Sequence, residues 1–163
     1  MCLSLLLCLA SMTLVCISQH FGLLWVSVAA STVAMAPLIY FNRNPQSIEA
    51  AWKYLMIGST GIALALLGVY FLAYATVAAG TKPTLLLPDL VAMAPDLDQG
   101  WLKAAFIFLL VGFGTKLGLA PMHTWTPEAY GETPGMVVAM FGGAVTNYAR
   151  IALIRVYPVV SGS

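Results

Sequence analysis

The sequence predicts an all-α fold, a polytopic transmembrane bundle of about five helices with a proline-interrupted fourth helix. Three observations carry this reading. Hydrophobic residues make up 61% of the 163-residue chain and charged residues only 8%, against about 25% in an ordinary soluble domain, and the mean hydropathy is +0.91. Apolar segments recur at close to the ~20 residues that cross a bilayer as helix. One of them, residues 104–122, is uncharged except for Lys116 and carries Pro121 and several glycines.

Taken in order, the first segment covers 2–17 and is the shortest. It has no basic n-region, and the next apolar segment comes almost at once, so it reads as a retained helix and not as a signal peptide. The second covers 21–41 and the third 49–79, separated by the polar turn Asn42 to Ser47, where Ser47 can cap the third helix. Between 80 and 100 lie Pro83, Pro88 and Pro95 with Asp89, Asp96 and Asp98, which reads as an ordered extramembrane loop. The fourth segment covers 101–122. Thr133-Pro134 then reads as a cap with proline at the first helical position, opening the fifth segment over 134–157. The expectation is a single membrane domain over 1–163, a fragment or short homologue of a larger subunit.

A net charge of +1 points to no nucleic-acid partner; the expected surroundings are membrane lipid and other membrane subunits. Cys2, Cys8 and Cys16 form no C-x-x-C and lie near no histidine pair, so neither iron–sulfur nor zinc ligation is predicted, and no cofactor is expected in this chain. Arg43 and Lys53 flank the 42–47 turn, whereas the 80–100 loop is net acidic. By the positive-inside rule the turn is cytoplasmic. Five alternating spans then put Arg155 on the opposite face, against the rule.

Charge placed in the apolar segments marks function. A lysine at a membrane helix centre costs roughly 2.5–3.5 kcal/mol on insertion scales, a cost that a proton or ion path would account for. Pro121 lacks an N–H, so a continuous helix would leave the carbonyl of Leu117 unpaired beside Lys116. Bare backbone survives at membrane depth only when buried in protein or lining a wet cavity, and Lys116, Leu117, Pro121 and the nearby Gly112, Gly114 and Gly118 read as a broken transport helix. The plain alternative is a lysine that snorkels past Pro121. Lys53 comes one turn after Glu49 and is either an interfacial anchor or a proton carrier inside the bundle. His123 suits proton shuttling or a place in an interfacial aromatic belt beside Trp125. Glu128 and Glu132 sit before the fifth segment on the side its dipole favours. Asn147 needs a partner on a neighbouring helix. Gly58, Gly61, Gly142 and Gly143 read as close-packing positions, and Trp52, Tyr54, Tyr70, Phe71 and Tyr74 as packing or lipid-facing aromatics. No phosphate loop, Ser/His/Asp arrangement or paired-carboxylate motif is present.

The run Lys116-Leu-Gly-Leu-Ala-Pro-Met-His-Thr-Trp-Thr-Pro-Glu-Ala-Tyr-Gly-Glu-Thr-Pro134 resembles the lysine-containing broken helix and adjoining loop of the antiporter-like membrane subunits of respiratory complex I and membrane-bound hydrogenases. The runs from Met12 to Val26, Ala36 to Arg43 and Glu49 to Leu55 resemble the hydrogenase branch of that family, of the hydrogenase 4 component F type. The resemblance implies a fourteen-helix proton-translocating subunit, of which this chain would cover helices four to eight, one of two inverted repeats. It also implies that Lys116 matches the family's central lysine and Lys53 a second one. Three positions depart from the pattern. Ala29 stands where the family's second helix here carries a glutamate, Thr126-Pro-Glu-Ala-Tyr130 replaces Leu-Pro-Asp-Ala-His, and Asn147 stands where a lysine is frequent.

The function so implied is that of a non-catalytic membrane subunit of a hydrogenase- or NADH-quinone-oxidoreductase-type complex in a prokaryotic inner membrane. It would carry part of a proton path through Lys116, Lys53 and His123, with redox cofactors in partner subunits. Protons or monovalent cations are the expected cargo. Two rivals are a cation/proton antiporter or inorganic-carbon uptake subunit, which share the scaffold, and a non-pumping structural subunit, which the missing carboxylate at Ala29 would suit.

Overall fold

In a computed structural model, which describes residues 2–120 and 122–161, apolar runs become helices that pack side by side in one bundle. The elements are α1 (Cys2–Ile17), α2 (Phe21–Ile39), α3 (Pro45–Ala78), the short α4 (Leu87–Met93), α5 (Gln99–Leu117), α6 (Trp125–Glu132), α7 (Gly135–Met140) and α8 (Thr146–Ser161). A π-helical turn, Phe141–Val145, joins α7 to α8, so that Gly135–Ser161 forms one span of 27 residues. Among the described residues four segments are long and apolar enough to cross a membrane, and α1, at 16 residues, is a shorter apolar helix laid along α2 through Cys8, Met12 and Val15. The protein is a multi-pass helical membrane protein.

Local chemistry sets where the helices start. Asn44 and Ser47 form a reciprocal capping box, Asn44 Oδ1 accepting from the Ser47 amide at 2.7 Å and Ser47 Oγ accepting from the Asn44 amide at 3.1 Å, with Pro45 in the first turn. Ser47 alone is therefore not the cap, and α3 starts four residues before the expected 49. Asp98 caps α5 by accepting from the Gly100 amide at 2.7 Å. Thr133 does not cap the last span: its hydroxyl donates back to the carbonyl of Ala129 and closes α6, while Pro134 takes the N-cap position of α7. The 80–100 stretch is ordered, as expected. Phe21 donates to the Leu85 carbonyl and Leu87 to that of Gln19, clipping it to the α1–α2 turn, and α4 buries Leu90 against the bundle.

The most extensive contact in the bundle is between antiparallel α3 and α5. Small residues at 58, 61, 65 and 68 recur at three- and four-residue spacing on α3 and meet Ala105, Gly112 and Thr115 of α5. A Cβ on Gly112 would lie 2.6 Å from the backbone nitrogen of Ala65 and 2.7 Å from the Gly61 carbonyl oxygen. The two backbones touch. In lipid, where water provides no drive between helices, such close approach is the source of attraction. Gly58 and Gly61 thus pack closely, but Gly142 and Gly143 do not: both are exposed and meet nothing, and they lie instead in the wide π-helical turn.

Arg155 is held to a different task from topology. Its guanidinium donates to the carbonyls of Val15 (2.8 Å), Cys16 and Ser18, capping the C-terminal end of α1, where a cation is favoured by the helix dipole. That accounts for its place on the face opposite Arg43.

Gly112→Ala should destabilise the assembled protein by about 1–3 kcal/mol, because the new methyl meets backbone that cannot yield. Gly142→Ala should be neutral. Thermal aggregation midpoints of the two purified variants check the pair; equal midpoints would remove the close-approach argument.

Candidate functional site

Lys116 is in the last turn of α5 and is buried, 3% exposed. Two geometric facts reconcile a helix end with depth. At 1.5 Å per residue the 34-residue α3 is about 51 Å long. Lys116 stands against Gly58, 3.3 Å from where a Cβ would be, and Gly58 lies about 20 Å from one end of α3 and about 30 Å from the other. The amine therefore lies well inside the length of α3, and α5 stops there. Beyond it, α6 continues beside the early turns of α3.

Gly118 makes the stop. Its φ of 69° is left-handed, a conformation glycine adopts without a Cβ penalty. The Gly118 amide donates to Thr115 at 3.3 Å and the Leu119 amide to Gly114 at 3.0 Å, which closes the helix end. The Trp125 indole N–H, from the first turn of α6, donates to the Thr115 carbonyl at 2.8 Å. The interruption begins at Leu117–Gly118; Pro121, the other end of the expected break at Leu117–Pro121, lies outside the described residues.

The amine of Lys116 donates to the Tyr54 hydroxyl at 3.2 Å and lies 4.6 Å from that ring's centroid. Tyr54 is 1% exposed, on the same face of α3 as Gly58 and Gly61. Its ring meets Trp125 edge-on at 5.1 Å and Phe141, the first residue of the π-helical turn, at 6.1 Å. Around it α2 supplies Ser31 and Thr32, both buried. Their hydroxyls donate to one carbonyl, that of Val28, at 2.7 and 2.9 Å. Thr32 lies against Gly58 of α3, and Ser31 lies 2.7 Å from the hydroxyl of the buried Tyr148 on α8.

The other sequence candidates lie elsewhere. Lys53 does not point into the bundle towards α2; it is half-exposed and pairs at 2.8 Å with both Glu49 and Glu128, tying α3 to α6. Glu132 accepts from the Asn44 side chain at 3.2 Å, and its backbone carbonyl accepts from Asn42 at 2.9 Å. His123 is exposed in the turn between α5 and α6. Asn147 is exposed and donates to the Gly143 carbonyl on its own helix, so it finds its partner in the π-helical turn and not on a neighbour. Ala29 is half-buried, flanked on α2 by Thr32, which touches Gly58, and by Trp25, whose indole donates to the Ile62 carbonyl at 2.8 Å. Its face is the one that packs on α3. Sequence reasoning missed Tyr54, Thr32, Ser31 and Tyr148. Tyr54 was legible in one respect: it precedes Gly58 by four residues and so shares the small-residue seam. Among the described residues no group of three His, Cys, Asp or Glu side chains could hold a metal ion.

Residues 18–163 match the family described as NADH:quinone oxidoreductase/Mrp antiporter, TM. A hydrogenase-4 component F homolog of Methylacidiphilum infernorum is 37% identical over 150 residues, which are 90% of this chain and 31% of that protein. NADH-quinone oxidoreductase subunit N of Desulforudis audaxviator is 35% identical over 82% of this chain and 25% of its own length. Among solved structures, a chain of respiratory complex I from Thermus thermophilus superposes with a TM-score of 0.81 at 32% identity, over 94% of this chain and 33% of that one. A chain of an archaeal membrane-bound sulfane sulfur reductase shares the fold, with a TM-score of 0.84 at 24% identity, over 92% of this chain and 30% of that one. The chain spans about a third or less of the length of these relatives. With a buried lysine at a helix break on this scaffold, the chain belongs to the NADH:quinone oxidoreductase/Mrp antiporter transmembrane family.

Proposed function

We propose that this chain forms part of the proton-translocating membrane arm of a hydrogenase- or NADH-quinone-oxidoreductase-type complex, in a prokaryotic cytoplasmic membrane. Electron transfer and its cofactors belong to partner subunits. The observation that carries the reading is the amine of Lys116, buried midway along α3 at the point where α5 breaks. A lysine there can take up a proton, be held as an ammonium by nearby dipoles and the C-terminal end of α5, and release it when those contacts change. Exposed His123 and the half-exposed Lys53–Glu128 pair lie on the α6 side of the break and serve as relays between Lys116 and the surface.

Lys116→Met should abolish proton flux per assembled complex, at least tenfold, while assembly persists. The measurement is dye-monitored acidification of membrane vesicles energised through the complex, with NADH and with hydrogen as donor. Unchanged flux would overturn the proposal, and sodium-dependent flux would move it to the antiporter reading.

Lys53→Ala should lower flux with little loss of assembly, since an exposed pair contributes only ~0–1 kcal/mol. Normal flux in a complex that assembles poorly would make Lys53 an anchor instead.

Ala29→Glu places a carboxylate on the α2 face that meets α3, and should raise flux per complex by giving the site a counter-charge. A lower yield without such a gain would show that this face of α2 takes no part in the path.

A further inference from the structure

Among the described residues Lys116 makes no ion pair; both salt bridges belong to Lys53. Of the groups around it, Cys8 on α1 is a buried thiol within electrostatic range, and α3 contributes Tyr54 and the bare face of Gly58. A buried cation needs compensation, and here the hydroxyl oxygen and the ring of one tyrosine supply it together. The amine sits obliquely above the phenol, 3.2 Å from its oxygen and 4.6 Å from its centroid. Both contacts favour a cation, the oxygen by its lone pairs and the ring by its quadrupole.

The hydrogen-bond directions sharpen the role. An ammonium has no lone pair, so Tyr54 accepts from Lys116. Thr32 has committed its hydrogen to the Val28 carbonyl. Ser31 has likewise committed its hydrogen to Val28, so Tyr148 donates to Ser31. Both α2 hydroxyls thus send their hydrogens to one carbonyl, and neither donates to the Tyr54 oxygen. The lone pairs of the Tyr54 oxygen are left to Lys116.

We propose that Tyr54 is the positioning residue that holds protonated Lys116, a neutral group in the role that a carboxylate on α2 would otherwise fill. This rests on the proton-path reading of Lys116. Tyr54 does not carry the proton away. Its ring is set by edge contacts with Trp125 at the start of α6 and with Phe141 at the π-helical turn, so a shift of either element moves the oxygen relative to the amine.

The test uses the whole complex in energised membrane vesicles, with flux counted per assembled complex. Tyr54→Phe keeps the ring and its packing and removes the acceptor. Since a hydrogen bond to a charged group is worth about 1.5–3 kcal/mol, flux should fall about tenfold to a hundredfold. Replacement of Tyr54 by 3-fluorotyrosine, which draws electron density from both oxygen and ring at almost unchanged size, should lower flux by a smaller step. Normal flux in both variants, alongside loss of flux in Lys116→Met, would overturn this inference and leave the proton path standing; normal flux in Lys116→Met would overturn the path itself. Should Tyr54→Phe fail to assemble, the fluorinated protein decides alone, because a tyrosine kept only for packing would not respond to its electron density.

Discussion

The rest of the structure depends on how closely the backbones of α3 and α5 approach. Gly112 has Ala65 nitrogen 2.6 Å from the place a Cβ would occupy, and Gly68 has Leu109 nitrogen at 2.9 Å. In water, a seam so poor in side chains would bury little apolar area. In lipid the comparison changes, because attraction between helices comes from contact and not from expelled water. The same seam decides where Lys116 goes. It continues the α5 stripe of 105, 109 and 112, so its side chain is delivered to the α3 side, where Gly58 leaves room for the amine. A larger residue at 58 would occupy that space.

The end of α5 answers to a second constraint, the cost of bare carbonyls at membrane depth. Those of Gly114 and Thr115 are met by specific donors. The amides of Gly118 and Leu119 turn back on Thr115 and Gly114, and the Trp125 indole reaches the Thr115 carbonyl from α6. Because Trp125 also packs against the Tyr54 ring, the donor that seals the helix end is in contact with the group that receives the lysine. Closure of the break and placement of the amine are thus not independent.

The sequence made legible the part governed by periodicity and by cost. Long apolar runs fix the spans, and one lysine in such a run has few places to go. Less legible was everything set by contact between segments distant in sequence. Tyr54 reads as one member of an aromatic stripe; its spacing from Gly58 puts it on the seam, but nothing local shows that it faces a lysine 62 positions away. Lys53 reads as a candidate for the interior because the family resemblance matches it to a second lysine. Its second partner, Glu128, comes from α6, and an ion pair with two carboxylates keeps it at the surface. Gly142 and Gly143 read as packing glycines by analogy with Gly58 and Gly61, but a π-helical turn has an extra residue per loop, and there they widen the helix instead of bringing another one close.

The absence of a carboxylate at Ala29 takes on a different meaning beside Tyr54. A carboxylate facing a buried lysine would make a pair whose separation costs several kcal/mol in a low dielectric. A phenol holds the same ammonium by dipole and quadrupole, contacts that weaken gradually as the ring turns. On the proposed reading, the site exchanges a strong two-state partner for a softer one. Its state then depends on the elements that fix the ring, α6 through Trp125 and the π-helical turn through Phe141. The α7–α8 span carries both that turn and Tyr148, whose hydroxyl reaches the Val28 cluster through Ser31. One span therefore touches both the Tyr54 ring and Ser31 of α2, and a small change in its winding would act on Lys116 through that ring without any charge having to move beside it.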